Sequence, residues 1–279
     1  MVNVYNATGG WPVEYPYVLA SYKYATLKVR NACYRVVDGH FDRGLMIVDS
    51  GIGDKTITNE MILKRAIEVR ADFVVPKDYL NDVNKTVESL HKFEGTAFMY
   101  GTPDTIWPLQ WPYEECLQKL CLKNKHIHFA LGGLVGLDVD AQLERIKAGV
   151  RLFKSHGGRD VHLFGIYPRD KILRYIRENN EVIASLDTNV PEIMATNGKI
   201  IDIHQLESPV SVKLGGQTTG KHTTRMRYIL ARYNLEMLQL IVNHPDIGQK
   251  IQNSRGGAPV YTKFPKKQAS KTIFDGCFK

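Results

Sequence analysis

Three aspartates in the chain each close a short apolar run. Asp49 ends Leu45-Met-Ile-Val-Asp49 before Ser50-Gly51, Asp78 ends Phe73-Val-Val-Pro-Lys-Asp78, and Asp187 sits in Ala184-Ser-Leu-Asp-Thr188. A carboxylate carried on a buried strand is partly desolvated, which raises its proton affinity or sharpens it as a nucleophile. One aspartate after a strand commonly just caps the next helix or turn. Three at equivalent ends of one sheet point to a site with acid–base or covalent chemistry. The run Gly132-Gly133-Leu134-Val135-Gly136 would let backbone N–H and C=O groups approach a flat heterocycle, although a tight strand-to-helix turn also uses such glycines. Phe164, beside Gly165, suits stacking on a base, a core aromatic being the commoner use of such a residue.

The elements that carry these residues alternate. A strand over 44–51 precedes a helix over 58–70, with Thr58 as its cap and Met61 opening the apolar face. A strand over 72–78, a short helix over 85–93, a strand over 96–100 and a helix over 113–123 follow. Next comes a strand over 126–131. The helix after it places Leu143, Ile146, Val150 and Phe153 on one face. Strands over 161–166 and 182–186 flank a helix over 170–177, and Met226, Ile229, Tyr233, Met237, Leu240 and Ile241 mark a long final helix. Continuously apolar strands alternating with helices imply a parallel sheet covered on both faces, either a closed barrel or an open doubly wound sheet. The N-terminal forty residues, rich in Tyr and Val, are expected to add short strands that close one end.

The 279 residues suffice for such a domain, and the formal charge of +8 is unevenly placed. From Lys213 onward basic residues dominate, including Lys221, Arg225, Arg227, Lys266 and Lys267, a distribution that suits a polyanion but also a solvated surface. Neither a bilayer-spanning apolar run nor a leader pattern is evident, so no membrane partner and a cytoplasmic location are expected. Cys33, Cys116, Cys121 and Cys277 form no Cys-x-x-Cys pair and read as reduced thiols. His126 and His128 alternate on one strand without a Cys or carboxylate set to complete a metal site, so packing histidines are expected there. Gly215-Gly-Gln-Thr-Thr-Gly-Lys221 nearly spells a phosphate-binding loop, but His222 stands where the magnesium-binding Ser or Thr belongs. A loop touching nucleic-acid phosphate fits it better than an NTPase.

Taken together, the segments resemble the tRNA-guanine transglycosylase family, including phage relatives that place 7-deazaguanines in DNA. Asp49-Ser50-Gly51 resembles the family's base-anchoring Asp-Ser-Gly-Gly, and Phe73 to Asp78 the strand ending in the guanine-recognising Asp. Gln110 before Tyr113-Glu114-Glu115 resembles the base-contacting Gln. Leu131-Gly-Gly-Leu-Val-Gly136 resembles the loop that reads the 7-substituent. His162-Leu-Phe-Gly through Leu186-Asp187 resembles the segment ending in the nucleophilic Asp, with Phe164 at the stacking position. Tyr228 to Leu240, with Asn234, is a weaker echo of a later helix. The family's Cys-x-Cys-x-x-Cys zinc module is absent, Gly53 stands where an aromatic usually completes the base sandwich, and the segment after Asp187 is the most altered. These departures fit the DNA-acting relatives better than the tRNA enzymes.

The resemblance implies an α/β fold, a (β/α)8 TIM-type barrel over 1–245 with short N-terminal strands, and an irregular basic C-terminal extension over 246–279. It implies exchange of guanine for a 7-deazaguanine such as 7-cyano-7-deazaguanine, in DNA or alternatively tRNA. Asp187 would be the nucleophile and Asp49 the acid and base. Asp78, Gln110, Gly132, Gly133, Leu134, Val135 and Phe164 would hold the purine. Lys221, Arg225, Arg227, Lys266 and Lys267 would meet the nucleic acid. Neither cofactor nor metal is expected. The remaining alternative is a non-catalytic nucleic-acid-binding subunit on the same fold, against which stands the retention of all three aspartates.

Overall fold

The computed structural model describes residues 1–37, 40–51, 54–100, 103–120, 128–202, 205–212 and 224–244. The chain opens with β1 (Asn3–Thr8), β2 (Tyr17–Ser21) and α1 (Leu27–Ala32). A hairpin of β3 (Tyr34–Val37) and β4 (His40–Arg43) leads to β5 (Leu45–Asp49). Then follow α2 (Asn59–Glu68), β6 (Phe73–Val74), α3 (Val83–Tyr100), β7 (Asp104–Leu109) and α4 (Tyr113–Leu120). Next are β8 (His128–Leu131), α5 (Val139–Ser155), β9 (Val161–Leu163), α6 (Asp170–Glu178) and β10 (Ile183–Thr188). The described part ends with α7 (Val190–Thr196), a second hairpin of β11 (Lys199–Asp202) and β12 (Gln205–Ser211), and α8 (Thr224–Asn243).

Eight parallel strands close into a barrel in the order β1-β10-β9-β8-β7-β6-β5-β2. Their side chains alternate between two destinations, as the pleat requires. Tyr5, Leu19, Ile47, Val75, Ile106 and Ala130 fill the interior, while Met46 and Val48 turn outward against Ile62, Leu63 and Ala66 of α2. Both faces of each stave are thus covered, which is why the strand sequences read as unbroken apolar runs. Side-chain caps fix the helix starts: Thr58 accepts the N–H of Met61 and Asp138 that of Ala141. Along α5, Ile146, Val150 and Phe153 are buried, so that face packs inward as expected. No helix among the described residues is long and apolar enough to cross a membrane.

Two placements differ from expectation. The stretch 96–100 is not a strand; it continues α3, whose Val87, Leu90 and Phe93 bury at helical spacing. A short apolar run cannot be told from a buried helix segment by periodicity alone. The stave is Asp104–Leu109, disguised by Pro108, which lies opposite Ala130 in the ladder. The N-terminal strands, for their part, do not lie across one end. β1 and β2 are full staves, and β1 forms the seam between β10 and β2. No helix joins β1 to β2. The outer side of β1 is covered by α8, whose Asn243 and Gln239 accept the N–H groups of Val2 and Val4, both at 2.8 Å. Residues 246–279 lie outside the described residues.

Candidate active site

The C-terminal ends of the staves surround a cavity of about 590 Å³ lined by Asp49, Asp78 and Asp187 together. Asp49 is the last residue of β5, Asp187 is the next-to-last of β10, and Asp78 follows β6 by four residues. Among the described residues no Lys or Arg lines this cavity. Each carboxylate therefore differs from the others by its own hydrogen bonds.

Asp187 is the most firmly held. Its Oδ1 accepts the N–H of Gly165 at 3.1 Å and lies 3.1 Å from His162 Nε2. His162 Nδ1 is 2.8 Å from the Ser185 hydroxyl, so the tautomer that donates to the carboxylate accepts from the serine. Ser185 and Asp187 are two apart on β10 and share its inner face, while Ser185 lies opposite His162 in the ladder. Among the described residues the second carboxylate oxygen, Oδ2, accepts no hydrogen bond. Gly165 is required here: its φ is +62°, and an added Cβ would fall 2.2 Å from Val135 Cγ2.

Asp49 is the opposite case. It accepts one N–H, that of Gly51 at 3.0 Å. Burial first, then the charges of Asp187 and Asp78, push its pKa up to about 7. Asp78 is also pushed up by burial, but is opposed by hydrogen bonds. Ser50 donates to its Oδ1 at 3.3 Å and Gln110 Nε2 to its Oδ2 at 2.6 Å.

Gln110 is fully buried and does not line the cavity. Its side chain spans from Asp78 to the N–H of Asn81, at 3.0 Å, and so acts as a brace. Gly132 makes room for it, since a Cβ there would fall 2.4 Å from Gln110 Nε2. Of the glycine loop, Gly132, Gly133, Val135 and Gly136 line the cavity, whereas the Leu134 side chain is buried in the outer core. The loop's carbonyls are tied back: Tyr113 donates to Gly132, Arg145 to Gly133 and Gln142 to Leu134. Phe164 lines the cavity with its ring edge-on to His162 at 4.9 Å.

The other expected contacts lie elsewhere. Arg225 and Arg227 fall in the first turn of α8, where Tyr228 packs on Trp11 in the loop after β1. Lys221, Lys266, Lys267, His126 and the glycine-rich 215–221 stretch lie outside the described residues. His128 packs edge-on against Phe73 at 5.7 Å and does not line the cavity. Asn234 is buried as a clamp, accepting the Ile201 N–H at 2.7 Å and donating to the Lys199 carbonyl at 3.1 Å. Among the described residues no three His, Cys, Asp or Glu side chains group as a metal site.

Sequence reasoning did not single out His162, Ser185, Ser50 or Gln142 as site residues. The available signal was polarity at alternate positions of otherwise apolar strands, at 162, 185 and 187. Chemically, the cavity combines one anchored carboxylate with an oxygen to spare, one carboxylate that exchanges a proton near neutrality, and one braced acceptor. No family model matches the chain, and no curated protein matches it.

Proposed function

We propose that the protein is a base-exchange enzyme that replaces guanine in a nucleic acid, DNA in preference to tRNA, with a 7-deazaguanine. The observation that carries this reading is the pairing of two unlike carboxylates in one cavity: Asp187, fixed through a single oxygen, and Asp49, poised to carry or release a proton near pH 7. A fixed nucleophile beside a carboxyl that can give and take a proton is what a double displacement at an anomeric carbon needs.

In the first half, the Asp187 carboxylate attacks C1′ of the target nucleoside and the C1′–N9 bond breaks with its electrons going to the purine. The proton on Asp49 neutralises the departing guanine. In the second half, Asp49 takes the N9 proton of the incoming 7-deazaguanine, N9 attacks C1′, and Asp187 leaves. The polymer backbone is untouched and atoms balance without a cofactor. Asp78, held by Ser50 and Gln110, accepts from the purine's N–H donors, Phe164 stacks on its face, and Gly132, Gly133 and Val135 face its 7-position. A purine in a duplex must first leave its stack to enter such a cavity.

The test is mass spectrometry of nucleosides after incubation with 7-cyano-7-deazaguanine and either duplex or single-stranded DNA or tRNA, with Asp187→Asn as control. A deazaguanine deoxynucleoside that the control lacks is expected. Product from tRNA alone transfers the activity to RNA. No product from any substrate, with nucleic-acid binding intact, replaces this reading with a non-catalytic binding subunit.

A further inference from the structure

The rim above the cavity carries large aromatic rings that the base-exchange chemistry does not employ. Tyr24 follows β2, Trp111 follows β7 and Tyr167 follows β9, and they are 38%, 36% and 47% exposed. Each has a cation over its ring: Lys23 at 5.6 Å, Arg145 at 5.4 Å and Arg169 at 4.8 Å from the respective centroid. Tyr24 and Tyr167 line the cavity mouth directly. Trp111 joins it through Arg145, which also donates to the carbonyl of Gly133 on the cavity wall. In the ring of staves, β2 and β9 are separated by β1 and β10, β9 and β7 by β8, and β7 and β2 by β6 and β5. The three rings therefore follow three separate staves, Tyr24 and Tyr167 at the opening itself and Trp111 beyond it, behind Arg145.

A fourth pair shows what a purely structural version looks like. Lys77 lies near the Tyr79 ring, but Lys77 is buried and donates to the carbonyls of Ile57, at 2.6 Å, and Lys55, at 3.1 Å. That ammonium holds a loop together. Lys23 is exposed and Arg169 half-buried beside exposed rings, whereas Arg145 also holds a loop, donating to the Gly133 carbonyl and, at 2.9 Å, to the Asn81 side chain.

We infer that this rim is a stacking surface for an unpaired nucleic-acid strand, on which bases flanking the residue in the cavity lie against Tyr24, Trp111 and Tyr167 while Lys23 and Arg169 meet neighbouring phosphates. The inference rests on the base-exchange reading for what occupies the cavity. Aromatic rings offer stacking that is tolerant of sequence, and adjacent cations supply the phosphate attraction. A paired duplex presents base edges and backbone, and has no free base faces to give to three separate rings. The substrate is thus a strand whose guanine and its neighbours lack pairing partners.

The test is fluorescence anisotropy of a short labelled oligonucleotide with one guanine, titrated as a single strand and as a blunt duplex at one fixed ionic strength. The single strand is expected to bind at least about tenfold tighter. Tyr167→Ala and Trp111→Ala should each weaken single-strand binding by roughly five- to a hundredfold and leave duplex binding unchanged, whereas Tyr167→Phe, which keeps the ring, should bind as the wild type. Photocrosslinking through 5-iododeoxyuridine beside the guanine should mark peptides containing Tyr24, Trp111 or Tyr167. Equal affinity for the duplex, with alanine variants binding as the wild type, overturns the inference. Single-strand preference through these rings without base exchange leaves the rim standing and removes the base-exchange reading. Exchange of guanine in a duplex by unimpaired rim variants does the reverse.

Discussion

Asp49 and Asp72 stand at opposite ends of the same pair of staves, yet they are treated in opposite ways. Asp72, at the N-terminal end, accepts the N–H of Met46 at 2.8 Å and faces two guanidinium groups, Arg43 at 2.9 Å and Arg30 at 3.6 Å. It lies beside a second cavity, about 520 Å³, that Arg30, Arg43 and Arg70 line without any counterpart of the three clustered aspartates. Asp49, at the C-terminal end, has one N–H donor and two carboxylates for neighbours. A carboxylate surrounded by cations serves the fold, because it is satisfied and inert. One left among like charges is costly to the fold, which is what marks Asp49 as a candidate for chemistry. The parallel barrel separates the two ends, so stability and reactivity need not compromise each other.

The contrast is sharpest at Asp49. Asp49→Asn removes the proton carrier and should lower exchange by about a thousandfold. Its effect on stability should run the other way. Because the folded pKa of Asp49 is raised, from 3.8 to about 7, the folded state binds the extra proton and stability falls as pH climbs through that window. The full shift corresponds to about 4 kcal/mol, which contact with solvent in the cavity reduces to about 2 kcal/mol. Denaturation should therefore show the asparagine variant more stable than wild type at pH 8 and no more stable at pH 4. In the wild type, formation of the glycosyl-enzyme should decline above pH 7. A variant destabilised at pH 8 would break the comparison.

At the other end, Asp72→Ala should cost about 2 kcal/mol, since it leaves the Met46 N–H unpaired and takes the counter-charge from the buried Arg30. Thermal unfolding should register this, while turnover per folded molecule stays as in the wild type. His162→Asn should have a smaller and different effect, lowering kcat about tenfold with KM held, because it loosens Asp187 without removing it. Stopped kcat and KM measurements separate that from a binding defect. The smallest effect is expected at an exposed surface pair. Glu88→Ala breaks the exposed pair with Lys92 on α3 and should change stability by less than about 0.5 kcal/mol.

The gathering of the three aspartates was legible because each follows a largely apolar strand, and parallel strands bring their C-terminal ends together. Phe164 and the glycine loop, which follow neighbouring strands, line the same cavity, except for the Leu134 side chain. Gln110 was expected to touch the ligand, yet its amide is spent between Asp78 and Asn81. Distance along the chain hides that kind of bracing. The support under Asp187 was hidden too, because His162 and Ser185 become neighbours only when β9 and β10 pair. β1 was underestimated because Asn3 and Asn6 interrupt its apolar pattern. Asn6 is nevertheless fully buried, donating to Glu192 of α7 at 2.9 Å. The α3 overrun reflects a short run whose helical fate is settled by what precedes it.

The most direct test of the account is to trap its covalent intermediate. The protein is incubated with guanine-containing DNA in the absence of an incoming base, denatured, digested with nuclease and protease, and examined by peptide mass spectrometry. The account predicts a deoxyribose-linked adduct on the peptide containing Asp187, absent in Asp187→Asn and lost when a 7-deazaguanine is supplied. Guanine release with no adduct, or an adduct that persists when Asp187 is replaced, would contradict it.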